Sequence, residues 1–337
     1  MQESSGVVQR SEMVDLMRGI AAICLIIDHS IISTPINLGT IGWCKKLGDF
    51  ISIFDLPLFF LVAGYVFSCR AYKMYFFKKV RRIGLPYLVF AGVSIFFHIF
   101  AGALLAGGGV AFQQGIVDLL IHGGEYWFLY TIFIIYLIFP IIASICGKNN
   151  YFCTAGLCIL ILGASVDVKT DVFLVNRVLQ YLPYFYTGWL LRREMKREYV
   201  SKAHLYYWPL GVIAFVALLE VNLSSKTYLK AFLMALSFCY AMVGCLYQVN
   251  KMLNSTSAQG SNYVKDFVLC CGQYSLQLYL FNMYLQVLIR IMLCSILGIS
   301  NAFLIITVGS TLNFIVVLPI CCILEKHGSV LKYVCGL

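Results

Sequence analysis

The sequence predicts an all-α polytopic membrane protein, a transmembrane helical bundle of about ten spans. Hydrophobic residues make up 61% of its 337 positions, whereas charged residues make up only 12%. A soluble globular protein carries about 25% charged residues. The charges lie mainly in short segments between apolar runs, so the net charge of +10 indicates membrane orientation and predicts no nucleic-acid partner.

The apolar runs justify the spans one by one, because a helix needs about 20 residues to cross a bilayer. They lie near residues 14–34, 51–69, 83–106, 126–146, 151–166, 176–191, 207–222, 228–249, 268–297 and 302–324. The fifth and sixth runs are short, and the ninth is long enough to tilt or break. We therefore predict cytoplasmic tails at residues 1–12 and 326–337, flanking a transmembrane domain over residues 13–325.

Positive charge predicts the orientation of these spans. If the N-terminus is cytoplasmic, most Lys and Arg residues fall in inner loops, including segments 70–82 and 192–206. The outer segments 35–50, 107–125 and 166–175 then carry few. This positive-inside bias predicts that both termini are cytoplasmic and that membrane lipid surrounds the protein.

The first span carries ionisable residues that a lipid-facing helix would avoid. Arg18 lies near its start and His29 follows 11 residues later. In an α-helix that spacing is about 20° from one face and about 16 Å along the axis. Asp28 points about 100° away from His29. Such groups are expensive in lipid and indicate function. The alternative is an imidazole that is merely hydrogen-bonded to a neighbouring helix.

The loop after the second span is basic and carries Lys78, Lys79, Arg81 and Arg82. These residues would be positive-inside anchors or contacts to lipid headgroups. They would alternatively bind the phosphates of a cytosolic cosubstrate, with Arg18 joining them, because Arg and Lys supply both charge and several donors.

Three further residues have two interpretations each. Asp55, at the start of the second span, would face either the same cavity as His29 or the outer headgroup region. Glu125 and Trp127, at the outer end of the fourth span, would form part of an interfacial aromatic belt. They would otherwise bind a hydroxyl-rich acceptor, since carboxylates and aromatic rings commonly hold sugars together.

The ninth span carries a polar stripe of Ser275, Tyr279 and Asn282, with Arg290 two turns further on. A polar stripe in lipid points inward and either binds a ligand or holds helices together. The 14 cysteines lie mostly inside apolar runs with no CxxC or Cys/His ligand spacing. We therefore interpret them as packing residues and predict no metal site.

Together these features resemble one known family. The Arg18-to-His29 spacing is followed, in order, by PLFFLVAGY (57–65), KKVRRIGLPY (78–87), YWFL (126–129), YFYTGWLL (184–191) and GQYSLQLYLFN (272–282). In this ordered set the chain resembles the bacterial acyltransferase-3 family of integral-membrane O-acyltransferases, over residues 12–325.

The resemblance implies a bacterial inner-membrane enzyme that takes acyl-coenzyme A from the cytosol and acylates a hydroxyl of an extracytoplasmic acceptor. By position, Arg18 and His29 match the family's Arg-x10-His motif. Lys79 and Arg82 match its Arg-x-x-Arg motif, with Lys in the first place. Lysine keeps the charge but lacks the planar guanidinium.

Two more positions depart from the family pattern. Ala63 stands where the family often has Ser, and Asn282 stands where many members have His. Asparagine cannot act as a base, so a step that relatives perform there would be lost or altered. The chain is otherwise similar to free-standing members that modify polysaccharide sugars.

We therefore expect an O-acetyltransferase with acetyl-CoA as co-substrate and no bound cofactor. Its acceptor would be a cell-surface polysaccharide or a lipid-linked glycan precursor. The predicted catalytic residues are His29, Arg18 and Asp28, with His29 as general base or acyl relay. Asp55, Glu125, Trp127, Tyr279 and Asn282 are the predicted acceptor ligands.

Two other functions fit the same sequence. Buried charges in a bundle of this size also suit a small-molecule transporter. The asparagine at position 282 would also suit a non-catalytic assembly partner. A homo-oligomer is compatible with each of these functions.

Overall fold

The computed structural model describes residues 12–33, 37–69, 71–104, 112–147, 149–166, 172–196, 206–220, 228–255, 263–327 and 330–337. Within those ranges the regular structure is helical and no strand occurs. The helices are α1 (Glu12–Ile32), α2 (Gly42–Ile51), α3 (Asp55–Tyr65), α4 (Tyr72–Lys79), α5 (Leu85–Leu104), α6 (Phe112–Val117), α7 (Trp127–Cys146), α8 (Asn150–Ala164), α9 (Val175–Lys196), α10 (Trp208–Glu220), α11 (Tyr228–Ser255), α12 (Tyr263–Gln273), α13 (Ser275–Arg290), α14 (Ala302–His327) and α15 (Val330–Val334).

The apolar composition of these helices confirms the predicted all-α membrane fold. Within the described ranges, five helical segments are long and apolar enough to cross a bilayer: Gly42–Tyr65, Gly115–Cys146, Tyr228–Met252, Ser275–Ile296 and Ala302–Lys326. Two shorter apolar helices are Tyr151–Ala164 and Trp208–Glu220. The total of ten spans and the cytoplasmic position of the termini stay predictions, and residues 1–11 lie outside the described ranges.

Helix α2 occupies a segment that the sequence analysis treated as an outer loop. It lies between the first and second apolar runs, but Lys45 and Asp49 form an i,i+4 ion pair at 2.8 Å on an exposed face. Cys44 and Ile51 are buried on the other side. The segment is therefore an amphipathic helix, and a hydropathy average over both faces does not reveal its apolar face.

Among the described residues three π-helical turns occur; such turns insert an extra residue and are frequent at functional sites. The turns cover Val80–Gly84, Asp118–His122 and Ile291–Ile296. The first directly follows Lys79 and carries Arg81 and Arg82, and the third directly follows Arg290. The basic segment and Arg290 thus each lie within or beside a π turn.

The chain divides into two compact units. The first contains residues 1–62, 201–219 and 235–318, and the second contains residues 63–200, 220–234 and 319–337. In the first unit α1 crosses α12 with the two backbones in contact. A Cβ on Gly19 would collide with the Val268 carbonyl, and one on Gly272 with the Asp15 carbonyl. Small residues at such crossings are typical of membrane helices.

An aromatic core fills the second unit. Phe139 and Phe185 meet edge to face with their ring centroids 4.6 Å apart, and Phe67 packs on Phe139 at 4.9 Å. Arg192 donates from Nη1 to the carbonyls of Tyr65 at 3.2 Å and Phe67 at 3.0 Å. The guanidinium thereby satisfies carbonyls at the C-terminus of α3, where the helix dipole also favours a cation.

Candidate active site

Helix α1 carries the central ionisable residues of the first unit. It is continuous from Glu12 to Ile32, so Arg18 and His29 lie on one stripe as expected from their spacing. Both side chains are half-buried. The imidazole is therefore held inside the unit, yet part of its surface stays accessible.

The carboxylate of Asp28 points toward α2. A Cβ on Gly48 would lie 3.2 Å from its Oδ1, so glycine leaves the space that this carboxylate occupies. Asp55 is only 4% exposed and interacts electrostatically with Asp28. The Leu56 N–H donates to Oδ1 of Asp55 at 2.6 Å, in the first turn of α3, where the helix dipole favours negative charge. Asp55 of α3 thus lies within electrostatic range of Asp28 of α1.

A chain of buried polar groups joins α1, α13 and α14, and we call it the polar seam. Its members are Ser30, Asn282, Gln286, Arg290, Ser310 and Asn313, all of them buried. Asn313 Nδ2 donates to Asn282 Oδ1 at 2.8 Å, and the hydroxyls of Ser30 and Ser310 are 3.2 Å apart. Gln286 Nε2 makes a long contact of 3.5 Å to the Ile26 carbonyl, and Arg290 donates to the Ser30 carbonyl.

These contacts fix the register of α13 against α1. Gln286 meets Ile26 and Arg290 meets Ser30, so the two helices run parallel there. Asn282 then lies at the height of Ala22, about 10 Å from the height of His29 at 1.5 Å per residue. Tyr279, which is buried, precedes Asn282 by almost one helical turn and so lies still further from the height of His29. The register brings Arg290, rather than Asn282 or Tyr279, to the height of His29.

The basic segment of the second unit divides into two kinds of cation. Lys79 lies over the ring of Tyr136 with Nζ 3.3 Å from the centroid, and Arg81 stacks on Tyr333 at 3.7 Å. Lys78 and Arg82 are exposed and make no hydrogen bond, ion pair or ring contact with any described residue. Lys79 and Arg81 therefore hold aromatic partners, while Lys78 and Arg82 face outward.

Glu125 and Trp127 also belong to the second unit. Ser94, on α5, donates its hydroxyl to Glu125 Oε2. The guanidinium of Arg177 lies 4.4 Å from the ring centroid of Trp127. The carboxylate is exposed and the indole is half-buried, so both remain accessible at one end of α7.

Comparison with known families gives a match over almost the whole chain. Residues 12–324 match the Acyl_transf_3 family model, described as an acyltransferase domain. The chain belongs to this family. It is therefore a multi-pass membrane acyltransferase. No curated protein and no solved structure matches the chain.

The structure adds residues to the acyltransferase that the sequence analysis did not assign. Asn313 pairs with Asn282 from α14, a partner that no spacing along the chain reveals. Arg290 and Arg177 do carry a sequence signal, because each is an arginine inside an apolar run. What the sequence does not show is that Arg290 is fully buried whereas Arg177 lies exposed on an indole ring.

Proposed function

We propose that this membrane acyltransferase moves an acetyl group from cytosolic acetyl-CoA to a hydroxyl of a cell-surface polysaccharide or a lipid-linked glycan precursor. The observation that carries the proposal is His29, a half-buried imidazole on the Arg18 stripe of α1, within the segment that matches the family. The proposed setting is the bacterial inner membrane.

In the proposed reaction His29 takes the proton of the acceptor hydroxyl. The hydroxyl oxygen forms a bond to the thioester carbonyl carbon, and the carbon–sulfur bond then breaks. The proton passes from His29 to the departing coenzyme A thiolate, so charge and atoms balance. In the relay alternative the imidazole itself accepts the acyl group first and the hydroxyl attacks afterwards.

The carboxylates of Asp28 and Asp55 would serve this step indirectly. Asp28 follows the helix toward α2, so we assign it no proton exchange with His29. Neither Asp28 nor Asp55 acts electrostatically on His29, so we assign them a part in positioning α1 against α2 and α3. Glu125 and Trp127, in the second unit, offer an exposed carboxylate and a half-buried ring that suit a sugar.

The donor's phosphates would be bound by exposed cations of the basic segment. Arg82 and Lys78 have no described partner, so their charges are available to a cytosolic ligand. The guanidinium of Arg82 can bind a phosphate through two parallel hydrogen bonds. Lys79 and Arg81, which are engaged by tyrosine rings, would position this segment.

The test is transfer of labelled acetyl from acetyl-CoA to membrane glycan. His29→Ala and His29→Gln should each reduce transfer by about 100-fold or more, as expected when a general base is removed. The control His122→Ala, which removes the imidazole of a π turn in the second unit, should retain acetyl transfer. Near-normal transfer by folded His29 variants would refute the assignment. Trapping of labelled acetyl on the wild-type protein would favour the relay route.

A further inference from the structure

Arg177 lies near the start of α9, at the end that the predicted orientation places outside the cell. Its guanidinium is exposed and lies 4.4 Å from the ring centroid of Trp127. It makes no hydrogen bond or ion pair with any described residue. The positive-inside bias does not account for an arginine at this end, because that bias concentrates Lys and Arg on the cytoplasmic side. The position of this cation therefore needs another explanation.

The contact with Trp127 holds the guanidinium without using its hydrogen-bond donors. A cation over an aromatic face is attracted by the ring electrons, so the N–H groups at the guanidinium edge stay available. Tyr181, one turn after Arg177, packs against the same indole with ring centroids 5.9 Å apart. The indole thus orients an exposed planar donor group, the kind of group that binds a carboxylate or a phosphate through two parallel hydrogen bonds.

The carboxylate of Glu125 lies two residues before Trp127 but does not neutralise Arg177. Its Oε2 accepts a hydrogen bond from the hydroxyl of Ser94 on α5. The guanidinium contacts the indole ring instead and forms no ion pair with this carboxylate. The two charged groups are therefore held by different partners, and both stay exposed.

A strained turn lies shortly before Arg177. Phe173 and Leu174 adopt left-handed backbone angles, with φ of 52° and 48°, although neither is glycine. Such angles are costly for residues that carry a Cβ, and they concentrate at functional sites. Phe173 is 54% exposed, so the turn holds an aromatic ring at the surface instead of burying it.

This turn packs against the start of α7. A Cβ on Gly123 would lie 2.8 Å from Cδ1 of Leu174 and 3.1 Å from Cα of Trp127, so a glycine there lets the two segments meet. Gly123 is itself left-handed, with φ of 70°, which glycine adopts at little cost. The contact joins the beginnings of α7 and α9, so Glu125, Trp127 and Arg177 lie at one end of the second unit.

We infer that Arg177 recognises an anionic group, a carboxylate or a phosphate, on the sugar acceptor that Glu125 and Trp127 bind. The inference rests on the proposed function, because it assigns the acceptor of that reaction to the class of acidic or phosphorylated glycans. The anion would accept two hydrogen bonds from the guanidinium edge, while Glu125 accepts hydrogen bonds from sugar hydroxyls. Glu125 favours such a sugar over an anionic lipid surface, whose negative charge it would repel.

The experiment measures thermal unfolding of the purified full-length protein with no acyl donor present, in a polyoxyethylene detergent that carries neither sugar nor charge. The probes are glucuronate and glucose 1-phosphate, with glucose and sodium chloride as controls at matched concentration and ionic strength. At saturation, one or both charged sugars should raise the Tm by roughly 2 °C or more above the controls. Glucuronate alone would identify a carboxylate, and glucose 1-phosphate alone a phosphate.

Variants localise the response. Arg177→Gln should abolish the shift, and Arg177→Lys should reduce it, because lysine keeps the charge but lacks the planar pair of donors. Trp127→Leu should also reduce it, since the ring that orients the guanidinium is lost. Lys46→Gln, which removes an exposed cation of α2 in the first unit, should leave it intact. Without ligand, Arg177→Gln should unfold within roughly 2 °C of the wild type, because the side chain is exposed.

Several results would overturn the inference. They are the absence of a shift with either charged sugar, equal shifts with glucose or sodium chloride, and a shift that persists in Arg177→Gln. A Tm loss of more than roughly 5 °C in both Arg177→Gln and Arg177→Lys without ligand would show that the guanidinium is a structural link. An Arg177-dependent shift with added phosphatidylglycerol or phosphatidylethanolamine, but with neither sugar, would assign the cation to a lipid headgroup. Because no acyl transfer is measured, each of these outcomes leaves the role of His29 to be judged by its own experiment.

Discussion

Asn282 and Asn313 form a fully buried polar pair within the first unit. Both side chains are 0% exposed and share one hydrogen bond of 2.8 Å. Asn282 Nδ2 and Asn313 Oδ1 have no partner among the described residues. The pair thus leaves one donor and one acceptor unused, and a hydroxyl group can both accept and donate a hydrogen bond.

This pair gives a prediction that separates binding from packing. If it binds an acceptor hydroxyl, Asn282→Leu with Asn313→Leu should reduce acyl transfer although the fold persists, because leucine fills the volume without polar groups. The direct coupling between the two amides should be small, about 0.6 kcal/mol in a double-mutant cycle of unfolding. Full activity in the double variant would leave the pair as helix-packing contacts. The pH optimum should not move, since neither amide titrates near neutral pH.

The two kinds of cation in the basic segment give a second prediction. Arg82→Gln should weaken acyl-CoA binding by about 10-fold or more, because a charge-assisted hydrogen bond contributes about 1.5–3 kcal/mol. Added salt should weaken the remaining affinity. Titration calorimetry with purified protein would measure both effects. Lys73→Gln, an exposed lysine of α4 outside the π turn, is the matched control, and equal losses in both variants would indicate general electrostatic attraction only.

At the scale of residues, the sequence predicted which side chains share a helix face better than it predicted which side chains they contact. The stripe of Arg18 and His29 follows from helix geometry and the continuous helix α1 carries it. The partners of these residues come from segments far along the chain, such as Gly48 beside Asp28 and Ser310 beside Ser30. Nothing in a local periodicity encodes which helix will lie opposite a given face.

At the scale of helices, the crossing of α1 and α12 depends on two glycines. Gly19→Ala should destabilise the protein by about 1–3 kcal/mol, the usual cost of an overpacked contact. The reason is that a Cβ there would collide with the Val268 carbonyl, which cannot rotate away. Thermal unfolding in detergent measures the effect.

A matched control exists for this substitution. A Cβ on Gly92, in α5, would have no atom within 4 Å. Gly92→Ala should therefore be neutral or stabilise by up to about 1 kcal/mol, through reduced backbone entropy in the unfolded chain. Equal destabilisation by both variants would contradict the role given to the α1–α12 crossing.

Helix boundaries were harder to predict than helix existence. The sequence located the long apolar runs, but α2 precedes the second run, and a turn at residues 52–54 within that run separates α2 from α3. The ninth run is divided at Tyr274 into α12 and α13, as its length had allowed. Hydropathy averages over a window and does not register a turn that keeps the chain apolar. The π turns are invisible for the same reason.

At the scale of the whole molecule, the fold class and family followed from composition and ordered motifs. The orientation remains a prediction and has a direct measurement. On a cysteine-free background, single cysteines placed in segments 70–82 and 192–206 should react only with a permeant reagent. Those in segments 35–50, 107–125 and 166–175 should also react with an impermeant one. Labelling of 192–206 by the impermeant reagent from outside would contradict the predicted number of spans, which includes the short fifth and sixth runs.

The polar seam also has a consequence for how the protein is made. Ser30 and Ser310 are 280 residues apart, so α1 enters the membrane long before its polar partners on α13 and α14 exist. At about 5–20 residues per second, the ribosome needs roughly 14–56 s to reach them. During that interval the seam face of α1, which includes Ser30, lies in the bilayer without the partners that it has in the folded state. A chain stalled before residue 275 should therefore expose α1 to the chaperones and proteases that survey the membrane, and crosslinking of stalled ribosome complexes would detect the delay.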